Sequence, residues 1–245
     1  MPDTDTICAD LAPTGILRVG INMANMLLVT DREADGTPVG VAPDMARAIA
    51  ARLDLPVTLH PYPMPGATAD ALSAGQVDMV LIANEAERAR TIAFSPAYCE
   101  IEATYLVPDG SPIADLADMD RPGIRIAVAE RAAYDLYLKR TLKNAELVRA
   151  TGLPAAVDLF VEERLDALAG LRPALVDNAK TIPGSRLLEG SYTTILQSIG
   201  TVPGREAGIA FVAGFCREVC ASGFVAELLA RHGVADRLTV PTHDA

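Results

Sequence analysis

The chain is short of the features that most reaction chemistries require. It has three histidines, His60, His232 and His243, and four cysteines, with no His-x-x-x-His or Cys-x-x-Cys pair. A dedicated transition-metal site is therefore not expected. Cys216 and Cys220 lie four apart on an apparent helix, while Cys8 and Cys99 are isolated; buried free thiols are the default reading, and they lean towards a cytoplasmic location. No Gly-x-Ser-x-Gly nucleophile motif, Walker-type loop or dinucleotide fingerprint occurs, so no cofactor is expected. Positive charge is also scarce. With 21 basic against 32 acidic residues the formal net charge is -11, which repels nucleic acid and anionic membranes. No apolar run approaches the roughly 18 residues of a membrane span. The N-terminal stretch, residues 1–15, has acidic residues, no basic one and no apolar core, so it does not read as an export leader. The chain is expected in the periplasm if a leader has been removed and in the cytoplasm otherwise.

What is present is the making of a large soluble protein. At 245 residues, 50% hydrophobic and 22% charged, it can bury one big core or two lobes of roughly 100 residues each. Val77, Met79, Val80, Leu81 and Ile82 form an apolar run suited to a strand covered on both faces, ending at Ala83. From Asn84 the residues turn to helix formers, with Asn84 as N-cap. Arg88 follows this junction of strand end and helix start, where open α/β sheets place ligands. Its fork of donors suits a carboxylate; the alternative is pairing with Glu85 on a solvated helix face.

The order of elements around that junction repeats. Leu17–Ile21 reads as a strand ending at Asn22 and Asn25, two amides that could contact a ligand or simply shape a turn. A helix over Val41–Leu53, a strand over Val57–Leu59, an irregular turn over Tyr62–Gly66 and a helix over Ala67–Ala74 lead back to the central strand. This alternation predicts a parallel sheet with crossover helices. After an extended run over Cys99–Val107 the pattern restarts: strand Ile124–Val128, helix Ala132–Thr141, strand Ala145–Val148, helix Leu153–Glu163 and strand Leu165–Ala169. Asp78 and Asp166 each open an apolar strand that follows a helix, which suggests two lobes on one plan, facing each other across a cleft. Ile195–Ile199 is extended again, and helices Arg205–Ala221 and Phe224–His232 return to the first lobe. The lobes are expected at residues 1–100 with 200–245, and at 101–199. Crossings near Cys99–Ala103 and Tyr192–Thr194 would act as hinges.

Gly40-Val41-Ala42-Pro43-Asp44-Met45-Ala46, Glu87-Arg88-Ala89 and Phe94-Ser95-Pro96-Ala97-Tyr98 resemble motifs of the type II solute-binding proteins of amino-acid ABC importers, family 3. The resemblance runs from Leu17 to His232. It implies a two-lobed, periplasmic-binding-protein-like α/β fold, each lobe a mostly parallel sheet flanked by helices. The implied protein is a monomer that closes on a small anionic or zwitterionic solute and hands it to an ABC permease. Arg88 matches the arginine that grips an α-carboxylate. Asn22 and Asn25 match first-lobe contact positions, and Ala83 and Asn84 fall in the binding loop. Arg131, Ala132, Ala133 and Tyr134 stand where the family has a helix N-terminus facing the carboxylate. The family's amine-binding aspartate, however, falls at Leu171. With Arg131 and Arg172 near the same mouth, a dicarboxylate or other small organic acid is favoured over an ordinary α-amino acid; the alternative for these arginines is pairing with Glu130, Asp135 or Asp177. Cyclohexadienyl dehydratases resemble the chain too, in Asp120-Arg121-Pro122-Gly123 and Leu142-Lys143-Asn144-Ala145. Yet the position of their acid reads Leu171-Arg172-Pro173-Ala174, with no carboxylate. A lyase and a ligand sensor on the same fold remain the rival expectations.

Overall fold

A computed structural model describes residues 3–243. The chain divides into two compact units: one runs up to Glu100 and resumes at Leu196, and the other is Ile101–Ile195.

The first unit opens with helix α1 (Thr4–Leu11), whose N-cap Asp3 accepts the Thr6 backbone N–H. Strand β1 (Leu17–Asn22) follows, then a small hairpin of β2 (Asp31–Arg32) and β3 (Pro38–Val39). Helix α2 (Val41–Arg52) starts on Gly40, whose φ of +150° admits only glycine comfortably. A Cβ there would also lie 2.4 Å from the Leu28 carbonyl oxygen. Strand β4 (Val57–Tyr62) runs three residues further than its apolar start predicts, and helix α3 (Pro65–Ser73) begins at once on Pro65. The irregular turn expected over Tyr62–Gly66 thus shrinks to two residues, because proline at the first helical position fits the helix and needs no donor. Strand β5 (Met79–Asn84) is buried through Ala83. Val80 and Ile82 pack with Ala69 and Leu72 of α3, as a strand covered by a crossover helix must.

After β5 the expected helix from Asn84 does not form. Only a single 3₁₀ turn, Arg88–Arg90, precedes the long strand β6 (Ala93–Pro108). Local propensity loses here because the Glu85 carboxylate accepts the Glu87 backbone N–H at 2.7 Å, offering the chain a side-chain turn in place of a helical one.

In the second unit a 3₁₀ turn (Leu116–Met119) leads to β7 (Arg125–Ala129), α4 (Ala133–Thr141), β8 (Glu146–Ala150), α5 (Gly152–Glu162) and β9 (Ala167–Leu171). Helix α6 (Arg172–Thr181) and strand β10 (Ser185–Leu187) complete it. Neither α6 nor α1 is predicted by the sequence pattern. The chain then crosses back within β11 (Thr193–Thr201) and ends in α7 (Glu206–Ala221) and α8 (Phe224–Arg231).

The two units share one topology. In the first, β1 lies between β4 and β5, parallel to both, and β11 joins β5 antiparallel. In the second, β7 lies between β8 and β9, parallel to both, and β6 joins β9 antiparallel. The matched aspartates do the same job in each. The Asp78 N–H donates to the Arg18 carbonyl at 2.8 Å, and the Arg18 N–H returns a bond to the Asp78 carboxylate at 3.3 Å. Asp166 and Arg125 repeat this reciprocal pair at 3.0 and 2.8 Å. Asp78 is buried and also takes two bonds from the Arg18 guanidinium, both at 2.8 Å. Each clasp ties the start of the third strand to the start of the first, which sets their register.

Candidate functional site

Parallel strands aim their carboxyl ends at one edge of a sheet, and that edge is where the candidate residues of each unit fall. In the first unit Asn22 ends β1, while Ala83 and Asn84 end β5. Arg88 opens the 3₁₀ turn just beyond and is only 6% exposed. One of its terminal nitrogens, Nη1, donates to the Ala83 carbonyl at 3.2 Å, so the backbone of the strand end holds the guanidinium. A solvated helix face, the alternative for Arg88 and Glu85, is not what the structure has: both residues are buried in a turn. The planar fork of a guanidinium held this way presents its donors in fixed directions.

Asn22 and Asn25 do turn work with their oxygens. The Asn22 side-chain oxygen accepts the Ala24 N–H at 3.1 Å, and that of Asn25 accepts the Leu27 N–H at 3.2 Å. Asn25 is itself buried. The NH₂ ends of the two amides are what each would offer a ligand.

In the second unit Arg131 follows the end of β7 with a φ of +58°, a left-handed conformation that non-glycine residues seldom adopt. Its backbone N–H donates to the Asp135 carboxylate at 2.8 Å, and the other oxygen of that carboxylate takes the Arg149 guanidinium at 2.9 Å. Asp135 is 2% exposed, so this reach-back from the third helical position pins the turn. Ala132 is the N-cap of α4 and carries no capping side chain. Ala133 and Tyr134, in the first helical turn, are buried. Burial holds the Tyr134 hydroxyl protonated, its pKa far above the usual phenol value. Asp135 itself was invisible as a site residue, although its position three after the cap is the signature that would have found it.

Arg172, the first residue of α6, pairs with Glu102 at 2.6 Å and also donates to the Gly190 carbonyl. The expected partners Glu130, Asp135 and Asp177 are not the ones used here; Asp177 pairs with Lys180 at 2.9 Å instead. Glu102 is seventy positions away in sequence, so no local spacing could point to it. Leu171, at the position where the family resemblance implies an acid, closes β9.

A separate cluster lies in the first unit. Cys216 and Cys220 of α7 meet His243 from the segment after α8, with all three ligand atoms within 4.8 Å of one another.

Two α/β units of one topology, linked by two crossings, with basic groups at strand ends, define the type II periplasmic-binding-protein class. The family profile for bacterial extracellular solute-binding proteins, family 3, matches residues 17–233. The chain belongs to that family. No curated protein matches it. Among solved structures it is similar to an ancestral amino acid-binding protein described as a precursor of cyclohexadienyl dehydratase, with 21% identity over 91% of this chain and 96% of that one, TM-score 0.74. It is also similar to a putative ABC transporter binding component from Wolinella succinogenes complexed with lysine, with 20% identity over 89% and 95% of the two chains, TM-score 0.74. An amino acid ABC transporter substrate-binding protein from Streptococcus pneumoniae bound to L-arginine has 16% identity over 93% and 98%, TM-score 0.75. Among the described residues no single helix is long and apolar enough to cross a membrane.

Proposed function

We propose that this chain binds a small carboxylate-bearing solute and serves as the substrate-binding component of an ABC-type uptake system. Family membership supports the role, and export to the periplasm goes with it. The observation that carries the ligand class is Arg88, a buried guanidinium anchored to the Ala83 carbonyl at a strand end. Asn84, the Ala83 backbone, Asn22 and Asn25 are its proposed companions in the first unit. In the second, we assign contact to the pinned N-terminus of α4, Arg131 to Tyr134. Arg172 contributes through its existing pair with Glu102. Leu171 supplies no partner for a ligand ammonium, so an organic acid or dicarboxylate fits better than a simple α-amino acid.

We assign no catalysis. A dehydratase needs a general acid against the leaving hydroxyl, and the stretch from Leu171 to Ala174 offers none. Thermal-shift and calorimetric screening against mono- and dicarboxylates and amino acids tests the reading. A true ligand at about 100 times its Kd adds roughly 2.7 kcal/mol of stability. Response only to neutral or cationic compounds overturns the carboxylate assignment, and turnover of prephenate or arogenate overturns the binding-protein assignment.

A further inference from the structure

The first unit holds a group of side chains that solute binding does not use. Residues four apart on a helix share a face, so the Cys216 and Cys220 thiols of α7 point the same way. That face meets β6: the Cys216 sulfur lies 3.1 Å from the Pro96 carbonyl oxygen, and the Cys220 sulfur 3.9 Å from that of Tyr98. His243 arrives from the segment beyond α8, its Nε2 2.7 Å from the Ala97 carbonyl oxygen. Cys216 is buried, and the other two are half-buried.

We propose that Cys216, Cys220 and His243 form a binding site for a thiophilic d¹⁰ cation, with Zn²⁺ as the probe, through two thiolates and one imidazole. Geometry supports it first. Zn–S bonds of about 2.3 Å and Zn–N bonds of about 2.0 Å in a tetrahedron set donor atoms roughly 3.5–3.8 Å apart. Each residue already offers a ligand atom within 4.8 Å of the other two, so closing on the ion takes roughly 1.3 Å at most. Cysteine χ1 rotation and a chain segment outside the regular elements supply that movement.

The surroundings support it next. A carbonyl oxygen only accepts, so the Ala97 contact puts the imidazole proton on Nε2 and leaves the lone pair on Nδ1. Metal-binding histidines are typically oriented by this kind of outer hydrogen bond. Binding through two thiolates releases both thiol protons to solvent, so affinity rises with pH. Three protein ligands with two of them partly exposed leave a fourth position for water.

The test uses the full chain, reduced and metal-free, under anaerobic conditions. Zn²⁺ is titrated in competition with a chromophoric chelator, and Co²⁺ is titrated optically. One equivalent of each should bind, with Co²⁺ giving a thiolate charge-transfer band. Cys216→Ser and Cys220→Ser should each weaken Zn²⁺ binding by about 100-fold or more and abolish that band, and His243→Ala should weaken it about tenfold or more. Cys8→Ser should change nothing. Because His243 lies outside the helices and strands, its variant keeps the test valid should a cysteine variant fold poorly. Arg88→Ala should still bind zinc, which separates this site from the solute site. Stoichiometric binding that survives the Cys216→Ser/Cys220→Ser double variant, absence of the charge-transfer band, or failure of the reduced protein to bind Zn²⁺ more tightly than that double variant overturns the proposal.

Discussion

Arg88 is buried, so what it contacts matters more than at an exposed arginine. Truncating one partner of a buried, hydrogen-bonded charge pair costs on the order of 2–5 kcal/mol. Arg88→Ala should therefore weaken binding of the best carboxylate by about 30-fold or more, read by calorimetry. Arg88→Lys keeps the charge without the fork and should fall between the two. An unchanged Kd in both variants ends the carboxylate role. A second residue-scale prediction follows from Cys99, whose thiol burial pushes up to about 12 from 9.0. Below pH 9 both folded and unfolded chains hold the proton. Above it the unfolded chain loses the proton first, so stability falls as pH rises from 9 towards 12. Cys99→Ala should flatten that alkaline decline in denaturation midpoints; an identical slope in both proteins refutes the account. Arg88 was legible as a candidate because a strand end followed by an arginine is a local pattern. Its burial was not, and neither was Glu102 as the partner of Arg172, because both depend on chain brought in from elsewhere.

At the scale of elements, periodicity and punctuation found what packs by its own pattern. β1, β5, α2, α5 and α7 have apolar runs or stripes ended by glycine, proline or polar residues, and each appears within a few residues of its expected span. Helices α1 and α6 escaped because their burial is narrow. α1 hides only Ile7 and Leu11, and α6 only Leu175, too few to show a helical period. Yet α1 is tightly fitted: a Cβ at Gly208 of α7 would lie 2.7 Å from Leu11 Cδ2. Leu11 is fully buried, so Leu11→Ala should cost about 2–5 kcal/mol in urea denaturation. A loss under about 1 kcal/mol would show that α1 is an ornament and not part of the unit's core. The helix missing after β5 teaches the converse. Helix-forming residues between Asn84 and Arg90 lose to a side-chain turn and to the early start of β6, so composition alone misled there.

At the scale of the whole chain, the repeat visible in Asp78 and Asp166 proved structural: the same strand order, the same antiparallel fourth strand and the same arginine clasp occur twice. That legibility has a cause. The clasp needs an acid at one strand start and a donor at another, and the acid falls at a fixed distance after a helix. The repeat also carries a folding prediction. The second unit is one continuous stretch, Ile101–Ile195. Its core, including Leu106, Ala127, Phe160, Leu168 and Leu175, is drawn wholly from within it. β10 pairs with β6 over Leu106–Pro108, so part of that strand's edge is already covered. A domain of this length can bury enough apolar surface to fold alone. The isolated stretch should therefore unfold cooperatively in urea, with circular dichroism and fluorescence transitions that coincide. The first unit, interrupted by the second, should do so only when its two segments are joined by a short linker between Glu100 and Leu196. A second unit that is unfolded alone, under conditions where the whole chain is stable, would mean that its core depends on contacts outside its own sequence.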